Sequence, residues 1–392
     1  MASSPFTDPA FYADRYPTYA ALRAAAPVLQ VPLGPTTATV VTGYEEARQA
    51  FTAALSKDTG AYFADKPSGR TLHPAVSHTM LATDPPEHTR LRRLVTKAFT
   101  SARVDALRPY IRALAEELVA SWEPGDEVDL VEELAGPLPV TVICQLLGVP
   151  PADRAAIRSW STDLFATGDH QRIDAASHAL AGYLAELITG KRARPDGALL
   201  SDLIAVHDGD ADRLSEDELL SLAVLLLVAG HETTTAAIGN AVLALLRHPA
   251  ELEHLRADPH HLRAAVDELL RYDAPVSVAT WRWAPEEVEL GDTRVPAGSP
   301  VFVCPGAANR DPARFPHPDR LDLRRADAAG HLAFGHGIHR CLGAPLAHAE
   351  IEIVLGVLLE RFPGLRLAAP ADRLRWRRSR LVRGLIALPV SL

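Results

Sequence analysis

Three stretches of this 392-residue chain carry residue types whose spacing can do chemistry. The first is His331–Glu350, HLAFGHGIHRCLGAPLAHAE, where Cys341 sits in Phe334-x-x-Gly337-x-x-x-Cys341-x-Gly343. Glycines at 335, 337 and 343 let the backbone turn tightly and approach a flat partner closely. The run after Gly343 reads as a helix that tolerates Pro345 in its first turn. A thiol just before a helix N-terminus is favoured as thiolate, the form that binds metal. The second stretch, Ala229-Gly230-His231-Glu232-Thr233-Thr234, interrupts an otherwise apolar helical pattern. A carboxylate there is costly unless it is hydrogen-bonded or shifted in pKa. Proton transfer is one reason to keep it, and a helix kink with back-bonded hydroxyls is the other. The third, Asp84–Thr100, places His88 and Arg92 four apart on one helical face, where a solvated basic surface is the ordinary explanation.

Cys341 allows three readings. It can be a core thiol in a glycine-rich loop, or a zinc ligand with His336 and His339, although no second Cys/His pair recurs downstream. It can also be the single axial thiolate of a haem iron, leaving the opposite face open for oxygen. The spacing resembles the haem-binding signature of the cytochrome P450 family, and this reading is preferred.

Other segments carry the resemblance in the family's order. Glu232 and Thr233 are similar to the family's oxygen-activating acid–alcohol tract, with Gly230 and the hydroxyls opening the helix locally. Glu268-x-x-Arg271 looks like the family's Glu-x-x-Arg element, with Arg320 in Pro318-Asp319-Arg320-Leu321 as the third member. Leu321 stands where the family usually has Phe. The resemblance implies that His88, Arg92, Arg282 and His339 hold haem propionates, and that Ala229, Phe334 and Gly343 border the ring. It makes Cys341 the iron ligand.

The elements that must position these groups follow from pattern. A short amphipathic helix lies around Tyr16–Ala26, and LQVPL and ATVVTG alternate like hairpin strands. Residues 57–82 lack a period and read as a long loop, either a substrate lid or merely variable surface. Residues 103–194 are mostly helical, with Cys144 in the core. The segment 160–184 is a helix pair that the resemblance makes the pocket roof. HDGDADRLSEDEL reads as a loop inside one domain. Ser215-x-x-Glu218 is a capping box opening a long helix that runs to Arg247. It is apolar on every side, which means burial. Short strands follow Val276, with Cys304 in the core. The terminal SRLVRGLIALPV is a hairpin whose tip, near Leu381 and Val382, can close the pocket beside Val276–Thr280 and Leu226.

Composition agrees with a soluble chain that buries a large core: 47% hydrophobic, 23% charged. A net charge of −9 argues against nucleic-acid binding. Three cysteines cannot form a disulfide framework and fit a reducing compartment. The first residues lack a basic segment followed by an apolar run, so no secretion signal is read. No uninterrupted apolar stretch reaches about eighteen residues, so no membrane span is read.

Together the resemblance implies a mainly α fold with small β-sheets, the cytochrome P450 fold, as one large domain over residues 1–392. The implied activity is a monooxygenase using haem b (iron protoporphyrin IX) and O2, with electrons from NAD(P)H through a ferredoxin and its reductase. Arg92, Arg93, Lys97 and Arg340 can steer such an acidic donor. The substrate is an apolar small molecule, by analogy a bacterial secondary metabolite. The expected protein is a cytoplasmic monomer, with no nucleic-acid or membrane partner. A peroxide-driven haem enzyme and a non-catalytic haem-binding recruitment module stand as alternatives.

Overall fold

Apolar residues at three- and four-residue spacing become helices here, and β-branched runs become short strands. The structure is a computed structural model. It describes residues 6, 8–33, 36–64, 71–165, 169–208 and 213–392. Among these, helices dominate, with two three-stranded sheets and one two-stranded sheet. The chain divides into two compact units, Met1–Ser56 with Arg108–Gly136 and Thr233–Leu392, and Lys57–Leu107 with Pro137–Glu232. The boundary falls inside the long helix, between Glu232 and Thr233.

In the first unit the expected hairpin forms. Val28–Leu33 pairs antiparallel with Thr36–Val41, whose other edge takes Val301–Val303 in parallel. Val40, Val41 and Val303 are buried, as β-branched residues on a covered sheet should be. The helix Tyr16–Ala25 matches its expectation, and Phe6, Phe11 and Tyr19 meet edge to face beside this sheet. A C-terminal hairpin also forms, but its first arm starts earlier than expected, since Trp376, ahead of Ser379, pairs with Leu385. Its tip leans on the strand-like segment after Tyr272: Val276 bridges Val382, and Ser277 N donates to Leu381 O at 2.9 Å.

In the second unit the helices Glu87–Ala98, Pro137–Leu147, Arg154–Leu164 and His170–Ala193 confirm the mainly helical reading. The helix pair over 160–184 is present, apart from residues 166–168, which lie outside the described residues. The 57–82 stretch departs from expectation. It holds the short helices Thr59–Phe63 and Pro74–Ser77 and a 3-10 turn at Met80–Ala82. Each of the two helices is capped by its neighbour: Asp58 accepts from Ala61 N at 2.8 Å, and the His73 ring accepts from Ala75 N at 3.1 Å. Single turns held by caps are too short to leave a periodic trace. Residues 65–70 of this stretch lie outside the described set, as do residues 209–212 of the connector before the long helix.

The capping box holds. Ser215 N donates to Glu218 Oε2 at 2.8 Å, and Glu218 N donates to Ser215 Oγ at 3.2 Å. Glu218 also pairs with Arg90, so that arginine is not simply solvated. The helix Glu216–Arg247 runs 32 residues. It is long and apolar enough to cross a membrane by composition, and 67% of its most apolar window is buried inside the protein.

Candidate active site: a cysteine loop and a buried acid

The cysteine loop is built by backbone turns. Gly335 and Gly337 adopt φ of 70° and 74°, the left-handed region that glycine enters without strain. A methyl group on Gly337 would sit 2.9 Å from the carbonyl oxygen of Phe51. The loop closes where Cys341 N donates to Phe334 O at 2.9 Å. After Gly343 the helix Ala344–Arg361 begins, with Pro345 in its first turn. Cys341 is exposed, whereas Cys144 and Cys304 are buried and burial pushes both thiols up to about 12. Their core placement agrees with expectation. The zinc reading fails on geometry, because no metal-holding group of three His, Cys, Asp or Glu occurs among the described residues.

Arg282 lies beside the same loop. The residue is 4% exposed, and its guanidinium donates to Thr280 O at 2.8 Å and sits 4.8 Å over the Phe51 ring. Burial pulls it down to about 10, and no carboxylate among the described residues offsets that cost. A buried cation in this state calls for an anion. Phe51 ties the two features together, since Gly335 also packs toward its ring. Sequence reasoning missed Phe51, which looks like any core aromatic. His339 closes the short 3-10 turn Gly337–His339.

In the second unit His88 is buried on the Glu87–Ala98 helix. Burial lowers its pKa first, and the positive charges of Arg92 and Lys57 lower it further. Lys57 is itself buried and went unnoticed in an aperiodic stretch. These three basic groups outnumber the one carboxylate that acts on His88, Asp84, and so suit an acidic ligand.

The tract at Glu232 is helical throughout, with His231, Glu232 and Thr234 buried, Gly230 half-buried and Ala229 exposed. The expected local opening at Gly230 is absent: the helix is unbroken there, and Ile143 packs so close that an added Cβ would meet its Cγ1 at 2.9 Å. Gly230 serves close packing. Glu232 Oε1 accepts from Thr162 Oγ1 at 3.2 Å, and His231 Nε2 stands 3.6 Å from the same oxygen. Thr233, half-buried, is the first residue of the other unit.

The Glu268–Arg271 pair is fully buried, with contacts of 2.6 and 2.8 Å. Its third member is Arg325 and not Arg320. Arg325 Nε lies 3.2 Å from Glu268 Oε1. Arg320 is exposed and offers only its backbone carbonyl, which accepts from Arg271 Nη2 at 3.2 Å. The chain bends between Pro318 and Asp322 so that its carbonyls face Arg271, and that turns the Arg320 side chain outward.

The cytochrome P450 family model matches residues 154–367. The chain is 48% identical to cytochrome P450 107B1 of Saccharopolyspora erythraea over 98% of its length and 96% of that protein. It is 47% identical to the cytochrome P450 monooxygenase PikC of Streptomyces venezuelae, covering 97% of this chain and 91% of that one. The structure superposes on the tirandamycin C-bound P450 monooxygenase TamI with a TM-score of 0.91 at 44% identity, covering 98% and 99% of the two chains. The chain belongs to the cytochrome P450 family.

As a cytochrome P450 the protein has the P450 fold, and the family's haem iron and dioxygen are its cofactor and oxidant. The donor set fits that cofactor: one exposed thiol in a glycine-bracketed loop, and a buried arginine lacking a counter-charge beside it. This cytochrome P450 is a monooxygenase.

Proposed function

We propose that this cytochrome P450 oxidises an apolar, mid-sized secondary metabolite of the polyketide class, with Cys341 as the thiolate that would hold the haem iron. The exposed Cys341, in a loop whose Gly335 and Gly337 pack against Phe51 with Arg282 over the Phe51 ring, is the observation that carries the assignment. Relatives support the substrate class. They include the 6-deoxyerythronolide B hydroxylase of Saccharopolyspora erythraea and the mycinamicin IV hydroxylase/epoxidase of Micromonospora griseorubida, each 43% identical.

Bound haem supplies oxygen activation and insertion, chemistry that side chains alone do not offer. The chain's residues do the rest. Arg282 and His339 of the first unit, and His88 and Arg92 of the second, would hold haem propionates by charge-assisted hydrogen bonds. Phe334 and Gly343 of the first unit, and Ala229 of the second, would border the ring. Glu232 passes protons inward from solvent and Thr233 holds the hydroxyl that hands them on. Val276, bridged to Val382, and Leu381, which accepts from Ser277 N, form an apolar border that orients substrate and excludes water. Residues 1–392 act as one haem-thiolate domain in a cytoplasmic monomer. NAD(P)H-derived electrons arrive through a ferredoxin, which meets the exposed Arg93, Lys97 and Arg340.

Reduction under carbon monoxide tests the ligand. The parent is expected to show a red-shifted Soret band that Cys341→Ala lacks, and a parent without that band would overturn the assignment. Titration with macrolactones and with fatty acids tests the substrate class. Macrolactones should displace the ferric water at lower concentration, and the reverse order would replace polyketide by acyl chain.

A further inference from the structure

His231 precedes the buried acid and was absent from the expected site. Its Nδ1 lies 3.0 Å from the carbonyl oxygen of Leu227, one turn back on the same helix. A carbonyl oxygen only accepts, so Nδ1 carries a proton, and in the neutral ring Nε2 keeps its lone pair. Nε2 makes no hydrogen bond among the described residues and stands 3.6 Å from Glu232 Oε1. Both side chains are almost fully buried, at 3% and 4% exposure. Thr162 Oγ1, from the Arg154–Leu164 helix, donates to the same oxygen.

An imidazole lone pair facing an ionised carboxylate would set two acceptors against each other in a buried site. One proton removes the conflict. It sits either on the carboxyl, donating to Nε2, or on Nε2, donating to the carboxylate. Thr162 can stay bonded to Oε1 in both states, because the oxygen of an acid O–H keeps a lone pair for a hydroxyl donor, as a carboxylate oxygen does.

We propose that His231 and Glu232 hold one exchangeable proton between them, and that His231 reloads Glu232 after each proton it delivers. This rests on the reading of Glu232 as the proton donor. The step breaks the Nε2–H bond and forms an Oε1–H bond, and water then returns a proton to Nε2. The Nδ1–H to Leu227 fixes the ring's orientation, so the exchange needs only a small closing motion from 3.6 Å. His231 acts through Glu232 and is a positioning and storage residue, not a catalytic one.

Nitrogen-15 NMR of histidine-labelled holoenzyme in its diamagnetic ferrous–carbon monoxide form reads the shared proton without turnover. In the parent near neutral pH, His231 Nε2 should resonate between the protonated and lone-pair positions. In Glu232→Gln it should move to the lone-pair position. An Nε2 signal identical in parent and variant overturns the proposal. Turnover supplies a second reading. His231→Gln should bind substrate as the parent does, lose about tenfold in product per electron pair consumed and show a larger solvent isotope effect. His231→Gln combined with Glu232→Gln should lose no more than Glu232→Gln alone, since residues acting as a unit are not additive. Additive losses would refute the link between the two residues. A Glu232→Gln variant that stays fully coupled would instead refute the reading of Glu232, and the NMR comparison would still decide the shared proton.

Discussion

The guanidinium of Arg282 lies 4.8 Å over the ring of Phe51, and the Phe51 carbonyl in turn backs against Gly337 of the cysteine loop. One aromatic residue from the Tyr44–Thr52 helix thus joins a buried cation to the turn that presents Cys341. The arrangement keeps an arginine out of water with no carboxylate among the described residues to balance it. An anionic partner would offset that cost.

Loss of that cation should loosen the cofactor. Arg282→Ala is expected to lose haem to an acceptor globin about tenfold faster or more, the scale of one charge-assisted hydrogen bond. Lysine should not rescue it fully, because a point charge lacks the planar fork. Equal haem transfer rates in parent and variant would remove Arg282 from the propionate site.

The ion-pair network distinguishes two arginines five residues apart. Glu268→Gln should cost about 3–5 kcal/mol, since it leaves Arg271 buried and unbalanced. Arg325→Ala should lower the denaturant midpoint clearly. Arg320→Ala should stay within about 0.5 kcal/mol of the parent, because its side chain is exposed. A larger loss at Arg320 than at Arg325 would restore the motif-based assignment.

Two glycines share a positive φ but differ in surroundings. A methyl added to Gly337 (φ 74°) would meet the Phe51 carbonyl oxygen at 2.9 Å, while one on Gly298 (φ 78°) has open space around it. Gly298→Ala should therefore cost only the left-handed backbone penalty, about 1–2 kcal/mol. Gly337→Ala should cost more and also reduce haem content. Equal midpoints for the two variants would show that the Phe51 contact gives way freely.

Glu350 supplies a pH test. On the helix after Cys341, its carboxyl is fully buried, and neither oxygen makes a hydrogen bond among the described residues. Burial holds its pKa well above the usual carboxylate range. The folded state therefore binds this proton more tightly than the unfolded chain does. Its contribution is full below about pH 4 and declines as pH rises toward the folded pKa. Glu350→Gln should match the parent near pH 4 and gain on it steadily toward neutrality in thermal melts. Parallel pH profiles would contradict the burial argument.

Residues within one turn of each other made much of this protein legible as sequence. The capping box at Ser215 and Glu218, the Glu268–Arg271 pair, the hairpin at Val28–Val41 and the glycine-bracketed Cys341 all depend on backbone geometry and short spacing. Such contacts repeat wherever the same residues recur, which is also why the family resemblance pointed to the right fold. Only tertiary structure decided which distant side chains meet. Arg325 reaches Glu268 across 57 positions of chain, and Thr162 reaches Glu232 across 70. Phe51 backs onto a loop that follows far later in the chain. Lys57 joins His88 from a stretch with no period, and Ile143 explains Gly230 where a helix opening was expected. Burial and long-range packing set these partners, and neither leaves a mark on the spacing of residues along the chain.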